Sequence, residues 1–248
     1  MANVHISISA EPIFNLGPVT ITNSMLVAWL VTGLLCAFAI SVSKKVKSTN
    51  KPTGLQNFIE AIIEALYGMV AGVMGERKSK QVFKYIATFF IFILLGNWIG
   101  LLPGVGSIGF IEHEEFVPLF RGATADINIT LGLALTSVFL IQYIGLKNLG
   151  LGYLGKFFNF KTPITAFIGI LELVAEFAKI LSFAFRLFGN IFAGEVLLTV
   201  IAFLVPIIAP LPFLGLELFV GIVQALVFSM LTLVFMQIAT ISHAEEHH

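Results

Sequence analysis

The chain has 248 residues, 58% hydrophobic and only 11% charged, with a formal net charge of zero. A water-soluble domain carries about 25% charged residues, so this composition, with a mean hydropathy of +0.98, assigns most of the surface to lipid. Zero net charge argues against a nucleic-acid partner, since phosphate binding requires a basic face, and a single cysteine, Cys36, excludes a disulfide framework and a thiolate metal site.

Residues 1–23 contain no Lys or Arg and lead into a first apolar run over 24–42, which Lys44, Lys45 and Lys47 follow. A signal peptide has its cations before the apolar core; here the order is reversed, so the run is expected to be a retained span that starts outside the membrane. Cys36 lies inside it and is expected to be a small buried residue. Residues 54–74 repeat apolar Leu55, Phe58, Ile59, Ile62, Ile63, Leu66, Met69 and Val70 at helical spacing, with Gln56, Asn57, Glu60 and Glu64 opposite. That amphipathic pattern suits a helix on the membrane surface or a shallow re-entrant helix. Gly68 and Gly72 also permit close packing on another helix.

A helix needs about 20 apolar residues to cross a hydrocarbon core of ~30 Å. Residues 85–102 and 126–146 meet that length, and 103–125 form an acidic outside loop with Glu112, Glu114 and Glu115. Two longer runs follow, 164–205 and 213–241, separated by Pro206, Pro210 and Pro212, where proline breaks the helix. Residues 242–248 form a short His- and Glu-containing tail.

The expected fold is therefore all-α and polytopic. It has five membrane-crossing helices and one amphipathic helix in a single membrane domain, the last two crossings making a long tilted hairpin. With the N-terminus outside, eleven cations fall in inside segments (Lys44, Lys45, Lys47, Lys51, Arg77, Lys78, Lys80, Lys84, Lys147, Lys156, Lys161) and one, Arg121, outside. That bias sets the orientation.

Charges within hydrocarbon cost about 2.5–3.5 kcal/mol each on insertion scales. The fourth crossing nevertheless holds Glu172, Glu176, Lys179, Arg186, Asn190 and Glu195, and the fifth holds Glu217 and Gln224. Residues 172, 176, 179, 186 and 190 keep to one helical stripe. Glu172, Glu176 and Lys179 are expected to neutralise one another, while Arg186 has no carboxylate three or four residues away. Glu195 lies nine residues beyond it, about 900° of rotation, and so faces the other way. Folding the hairpin at Pro206 sets Glu195 level with Glu217, eleven residues to either side. It also sets Arg186 level with Leu226, close to Gln224. Two adjacent carboxylates cannot both ionise cheaply, which suits proton exchange; the guanidinium stays charged.

The run Ser182-Phe-Ala-Phe-Arg-Leu-Phe-Gly-Asn-Ile-Phe-Ala-Gly-Glu195 resembles the signature of subunit a of F-type ATP synthases. Pro206-Ile-Ile-Ala-Pro-Leu-Pro212, then Glu217 and Gln224-Ala-Leu-Val-Phe, is similar to that family's last helix, and Thr124-Ala-Asp-Ile-Asn-Ile-Thr-Leu131 to the start of its third crossing. The resemblance covers nearly the whole chain. It implies a non-catalytic stator subunit that conducts protons through two offset half-channels, without a cofactor. Arg186 would be the essential arginine facing a ring of c subunits, with Asn190 and Gln224 beside it. Glu195 and Glu217 would line the outer half-channel, and some relatives carry His at one of these two positions. Glu172, Glu176, Lys179, Asp126 and Asn128 are possible supporting residues, although Asp126 with Asn128 also reads as a helix N-cap. Implied partners are the c ring, peripheral-stalk b subunits, the ATPase head indirectly and the bilayer, in a bacterial inner membrane.

A secondary transporter is the competing class, but the paired repeats and broken midplane helices of such folds are not evident in the sequence. An intramembrane hydrolase would need a nucleophile with its base, or metal ligands. His5, His113, His243, His247 and His248 all lie outside the spans.

Overall fold

The computed structural model describes residues 10–16, 19–45, 54–102, 105, 108–112, 115–157, 162–205 and 208–241. Five helices dominate: α1 (Asn23–Lys45), α2 (Gly54–Gly100), α3 (Ile127–Leu149), α4 (Pro163–Leu204) and α5 (Pro210–Ala239). Each contains a stretch long and apolar enough to cross a membrane. The tail at 242–248 and the connection at 206–207, where the sequence suggests the hairpin turn, lie outside the described residues.

Helix α2 joins two segments that the sequence separates. Its 47 residues run through one break at Gly75, which adopts φ 73° and ψ 157°. Only glycine takes up such a left-handed conformation at little cost, and the Ser79 hydroxyl steadies the joint by donating to the Gly75 carbonyl at 2.6 Å. Before the break, Phe58, Ile62 and Ile63 are exposed, and a side chain added at Gly68 or Gly72 would meet nothing within 4 Å. Close packing through that glycine pair is not what the fold uses. Only the last turn, with Val70 and Met74, enters the bundle core.

Helix α5 starts at Pro210 rather than at Phe213. Proline is well suited to the first helical turn, where its missing N–H would have no partner. Helix α4 begins with a capping box in which Thr162 and Thr165 exchange side-chain and backbone hydrogen bonds. Its 42 residues would measure about 63 Å as a straight helix, roughly twice the hydrocarbon thickness.

Two large apolar clusters join α2, α3 and α5, the second including α4, and a smaller third one attaches α1 to α2. One contains Val70, Met74, Val82 and Ile86 of α2, Ile141 and Ile144 of α3, and Leu233 and Met236 of α5. The other joins Phe89 and Ile93 of α2, Ala134 and Val138 of α3, Phe183 and Leu187 of α4, and Ala225 and Phe228 of α5. Inside this apolar packing the Ser137 and Thr232 hydroxyls bond each other at 2.8 Å, which spares both an unmet polar group.

Two short antiparallel hairpins, which the sequence reading omits, sit at one end of the bundle: β1 (Pro12–Leu16) with β2 (Val19–Thr22), and β3 (Gly109–Glu112) with β4 (Glu115–Pro118). Asn23 ties them together. Its backbone N–H donates to Glu11 O at 3.1 Å and its side-chain amide to Pro118 O at 3.2 Å. Helix α1 buries Val27 and Val31 against Phe92, Leu95 and Ile99 of α2 and against Ala123, and shows its other side outward, with Trp29, Leu34 and Phe38 exposed. Cys36 is exposed there as well, contrary to its expected burial. In a lipid-facing helix an apolar residue has no need of a protein core, so burial frequencies from water-soluble proteins do not carry over.

Candidate functional site

Helix α4 buries one side and displays the other. Phe183, Ala184, Leu187 and Phe188 turn inward, and the Phe183 ring meets Phe228 of α5 at 5.0 Å between centroids. That leaves Arg186 on the outer side, exposed among apolar Phe177, Leu181 and Phe185. Its Nη2 donates to the Ser182 hydroxyl at 3.2 Å. Among the described residues no carboxylate pairs with it. Ala178, Ser182, Gly189, Asn190 and Ala193 are exposed along the same face. Four of these five are small, so another helix could approach the backbone closely around the guanidinium.

Gln224 is half-buried on α5, next to Ala225, which packs in one cluster with Leu187. The neighbours of Arg186 and Gln224 in sequence thus share a level of the bundle. Asn190 is exposed one turn beyond Arg186.

Further along the hairpin lies a cavity of about 250 Å³, lined by Asn97, Arg121, Glu195, Thr199 and Glu217 among others. Glu217 is buried, with its carboxyl directly against Gly194. A side chain at position 194 would occupy the same space, so the glycine is what admits the acid. Glu195, on the next residue of α4, reaches the cavity too but has a different partner. Arg121 donates from Nε and Nη2 to Glu195 Oε2, at 3.1 and 3.0 Å. The two glutamates therefore share one chamber while the ion pair belongs to Arg121 and Glu195. Arg121, read from the sequence as the one outside cation, is 8% exposed and part of the site.

The floor of the chamber is also polar. The Thr124 hydroxyl donates to Asn97 Oδ1, and the Asn97 amide donates to Gly221 O at 3.2 Å. Neither residue stood out in the sequence, because a single Asn or Thr in an apolar run is common and cheap to bury when hydrogen-bonded. Asp126 is the N-cap of α3, accepting from the Asn128 N–H at 2.9 Å and from its side-chain amide at 3.1 Å. Its geometry is that of a cap.

At the other end of α4 the acidic residues find a cation that the sequence reading placed in an aqueous loop. Lys156, in the 3-10 segment Gly150–Lys156, bonds Glu172 at 2.8 Å and Glu176 at 3.2 Å. Lys179 bonds Glu176 at 2.9 Å and lies over the Phe235 ring. Glu172 is thus neutralised by Lys156 and not by Lys179. Burial acts to lower the Lys156 pKa, but the hydrogen bond to Glu172 and the charges of Tyr153 and Glu176 outweigh it, holding the ammonium above the usual lysine range. Replacing Lys156 by Met should cost about 1–3 kcal/mol, because it leaves charged oxygens short of a partner. A lower thermal aggregation midpoint of the detergent-solubilised protein is the expected readout; an unchanged midpoint would remove Lys156 from the structural account.

The site thus comprises an exposed cation on an apolar helix face, an acidic chamber on the same hairpin, and a neutralised cluster at the hairpin's far end. Residues 25–237 match the family model described as ATP synthase A chain.

Proposed function

The chain belongs to the ATP synthase A chain family, and from that membership we propose that it conducts protons past a rotor ring through two offset half-channels. Protons enter from outside through the chamber that Glu195 and Glu217 line, and pass to a carboxylate on the rotor. Once protonated, that rotor site is neutral and can turn through lipid. After nearly a full revolution it meets the second half-channel, open to the inside, and releases its proton. Arg186 stands between the two paths. Its fixed charge draws each ionised rotor carboxylate into line and opposes direct passage of protons. Asn190 and Gln224 provide neutral hydrogen-bonding groups that keep the attraction moderate.

Magnitudes show why moderation is needed. Two unit charges 4 Å apart attract by about 4 kcal/mol at an effective dielectric constant of 20, and each proton gains about 2.3 kcal/mol per 100 mV of membrane potential. A pair held more tightly than this would need more than roughly 170 mV to part. Exposure of Arg186 to lipid-side water and amides keeps the contact within that range.

The observation that carries this reading is Arg186 itself: a cation on an exposed apolar face, bonded to a serine hydroxyl instead of an acid. Nothing in the packing of one subunit repays its insertion cost, whereas acids arriving in turn on a moving neighbour do. The same reading implies a multi-pass protein of a bacterial inner membrane with its N-terminus outside. It is accompanied by the c ring, by b subunits of the peripheral stalk and, through them, by the ATPase head.

The test is passive proton flow through membrane-sector vesicles, driven by an imposed potential. Changing Glu195 and Glu217 together to Gln should slow it about tenfold or more, since the path loses both ionisable groups (each tenfold step is 1.4 kcal/mol of barrier). Flow at the wild-type rate would take the chamber out of the proton path.

A further inference from the structure

Helix α1 covers α2 at one end only. Val27 and Val31 pack against Phe92, Leu95 and Ile99 of α2, which follow one helix face in steps of three and four. Traced back toward Gly75, the same face continues through Thr88, Lys84, Gln81, Lys80 and Arg77, all of them exposed. It points away from the core side that carries Val82, Ile86, Phe89 and Ile93. The leading arm of α2 does not cover it either, since Tyr67 meets Phe83 on a different side, at 5.4 Å between ring centroids. Beyond Val31 helix α1 leaves the bundle: from Thr32 to Lys44 none of its residues is buried, and Leu34, Phe38 and Ile40 are exposed. A groove thus opens between the two helices, apolar on α1 and cationic on α2.

The cations of this groove lack a counter-charge. Among the described residues no carboxylate pairs with Arg77, Lys80 or Lys84. Glu76 projects about 100° round the helix from Arg77. Lys78 turns instead to the end of α5, where it donates to the Thr240 hydroxyl at 3.1 Å. Lys84 lies about 10 Å further along the axis than Arg77, with its ammonium over the Tyr85 ring at 4.9 Å. The helix restarts after the break at Gly75, so Arg77 and Lys80 stand in first turns, where the dipole disfavours cations and favours anions.

We infer that the groove between α1 and α2 seats an anionic phospholipid, its phosphate among Arg77, Lys80 and Lys84 and its acyl chains along the exposed apolar side of α1. A neutral lipid would fill the groove and leave the charges unmet. An acidic peptide would meet the charges and leave the apolar wall bare. Each basic residue near a membrane surface raises the affinity for anionic headgroups about fivefold, so three of them supply roughly 100-fold.

The experiment is native mass spectrometry of the delipidated membrane sector in detergent, titrated with dioleoylphosphatidylglycerol or dioleoylphosphatidylcholine. The wild type should take up the anionic lipid more tightly. Changing Arg77, Lys80 and Lys84 together to Gln should weaken one such site about 100-fold and leave phosphatidylcholine uptake unchanged. All three side chains are exposed, so the thermal midpoint should hold. Dihexanoylphosphatidylglycerol, the same headgroup on short chains, should bind the wild type at least about tenfold more weakly, because buried methylenes are lost. An unchanged titration in the triple variant would overturn the inference, and so would equal uptake of the two dioleoyl lipids by the wild type. Equal binding of the short-chain lipid would reduce the groove to a charged surface patch. Loss of another subunit from the triple variant, with lipid uptake intact, would assign the stripe to an acidic protein partner and overturn the lipid.

Discussion

Arg186→Lys is expected to lower ATP-driven proton pumping by roughly 10- to 150-fold, although it conserves the charge. A planar guanidinium presents five donors in a fixed fork and can engage a carboxylate and a neighbouring hydroxyl together. In the structure one arm already bonds Ser182, leaving the others for an incoming acid. An ammonium is a compact, strongly hydrated point charge on a flexible stem. It would reach either the serine or the acid, giving up a charge-assisted hydrogen bond of about 1.5–3 kcal/mol, which corresponds to the stated range of rates. The measurement is acidification of inverted vesicles on ATP addition, normalised to assembled enzyme. Pumping at the wild-type rate would remove the guanidinium from the mechanism, however well the rest of the site fits.

Gly194→Ala is expected to push the Glu217 carboxyl out of its place in the hairpin. The added methyl and the Glu217 carboxyl would compete for one place. Overpacking costs typically about 1–3 kcal/mol, and here the lower end applies, because the displaced group is the end of a flexible side chain that borders the chamber. Both the thermal midpoint of the solubilised protein and proton flow should fall. Glu217→Ala added to Gly194→Ala should return the midpoint while flow stays low, since space is recovered but the carboxyl is gone. A single variant as stable and conductive as wild type would show that Glu217 has another place to sit.

Most of the framework was readable from the sequence because a membrane enforces it. Length, hydropathy and proline positions are set by hydrocarbon thickness and by the need to bond every backbone amide, and these alone indicate helices over α1, α3, α4 and α5. The level of Glu217 on the hairpin followed from counting residues outward from Pro206, and its carboxyl indeed lies beside position 194. Counting works there because both arms are unbroken helices with a fixed rise.

The partners of those acids were less accessible. Arg121 meets Glu195 from 74 residues away, and Lys156 meets Glu176 from 20. Both cations lie in connections, where neither helical periodicity nor residue counting fixes a direction. Tallying charges by side of the membrane assigned them to water. A clue was available for Lys156, whose neighbours Tyr153 and Phe157 offer ring faces that a lysine stem packs on. The β1–β2 hairpin had a signal as well, since Gly17-Pro18 separates two short runs rich in β-branched and aromatic residues. The break at Gly75 had none beyond the glycine itself.

That break has a wider consequence. Along an uninterrupted α-helix every residue is in phase with every other, so one residue gained or lost near the start turns everything downstream by about 100°. With the helical path interrupted at position 75, the leading arm of α2 and the part bearing Asn97 keep independent rotational registers. The leading arm can therefore change length or composition while the Asn97 amide in the chamber keeps its bearing.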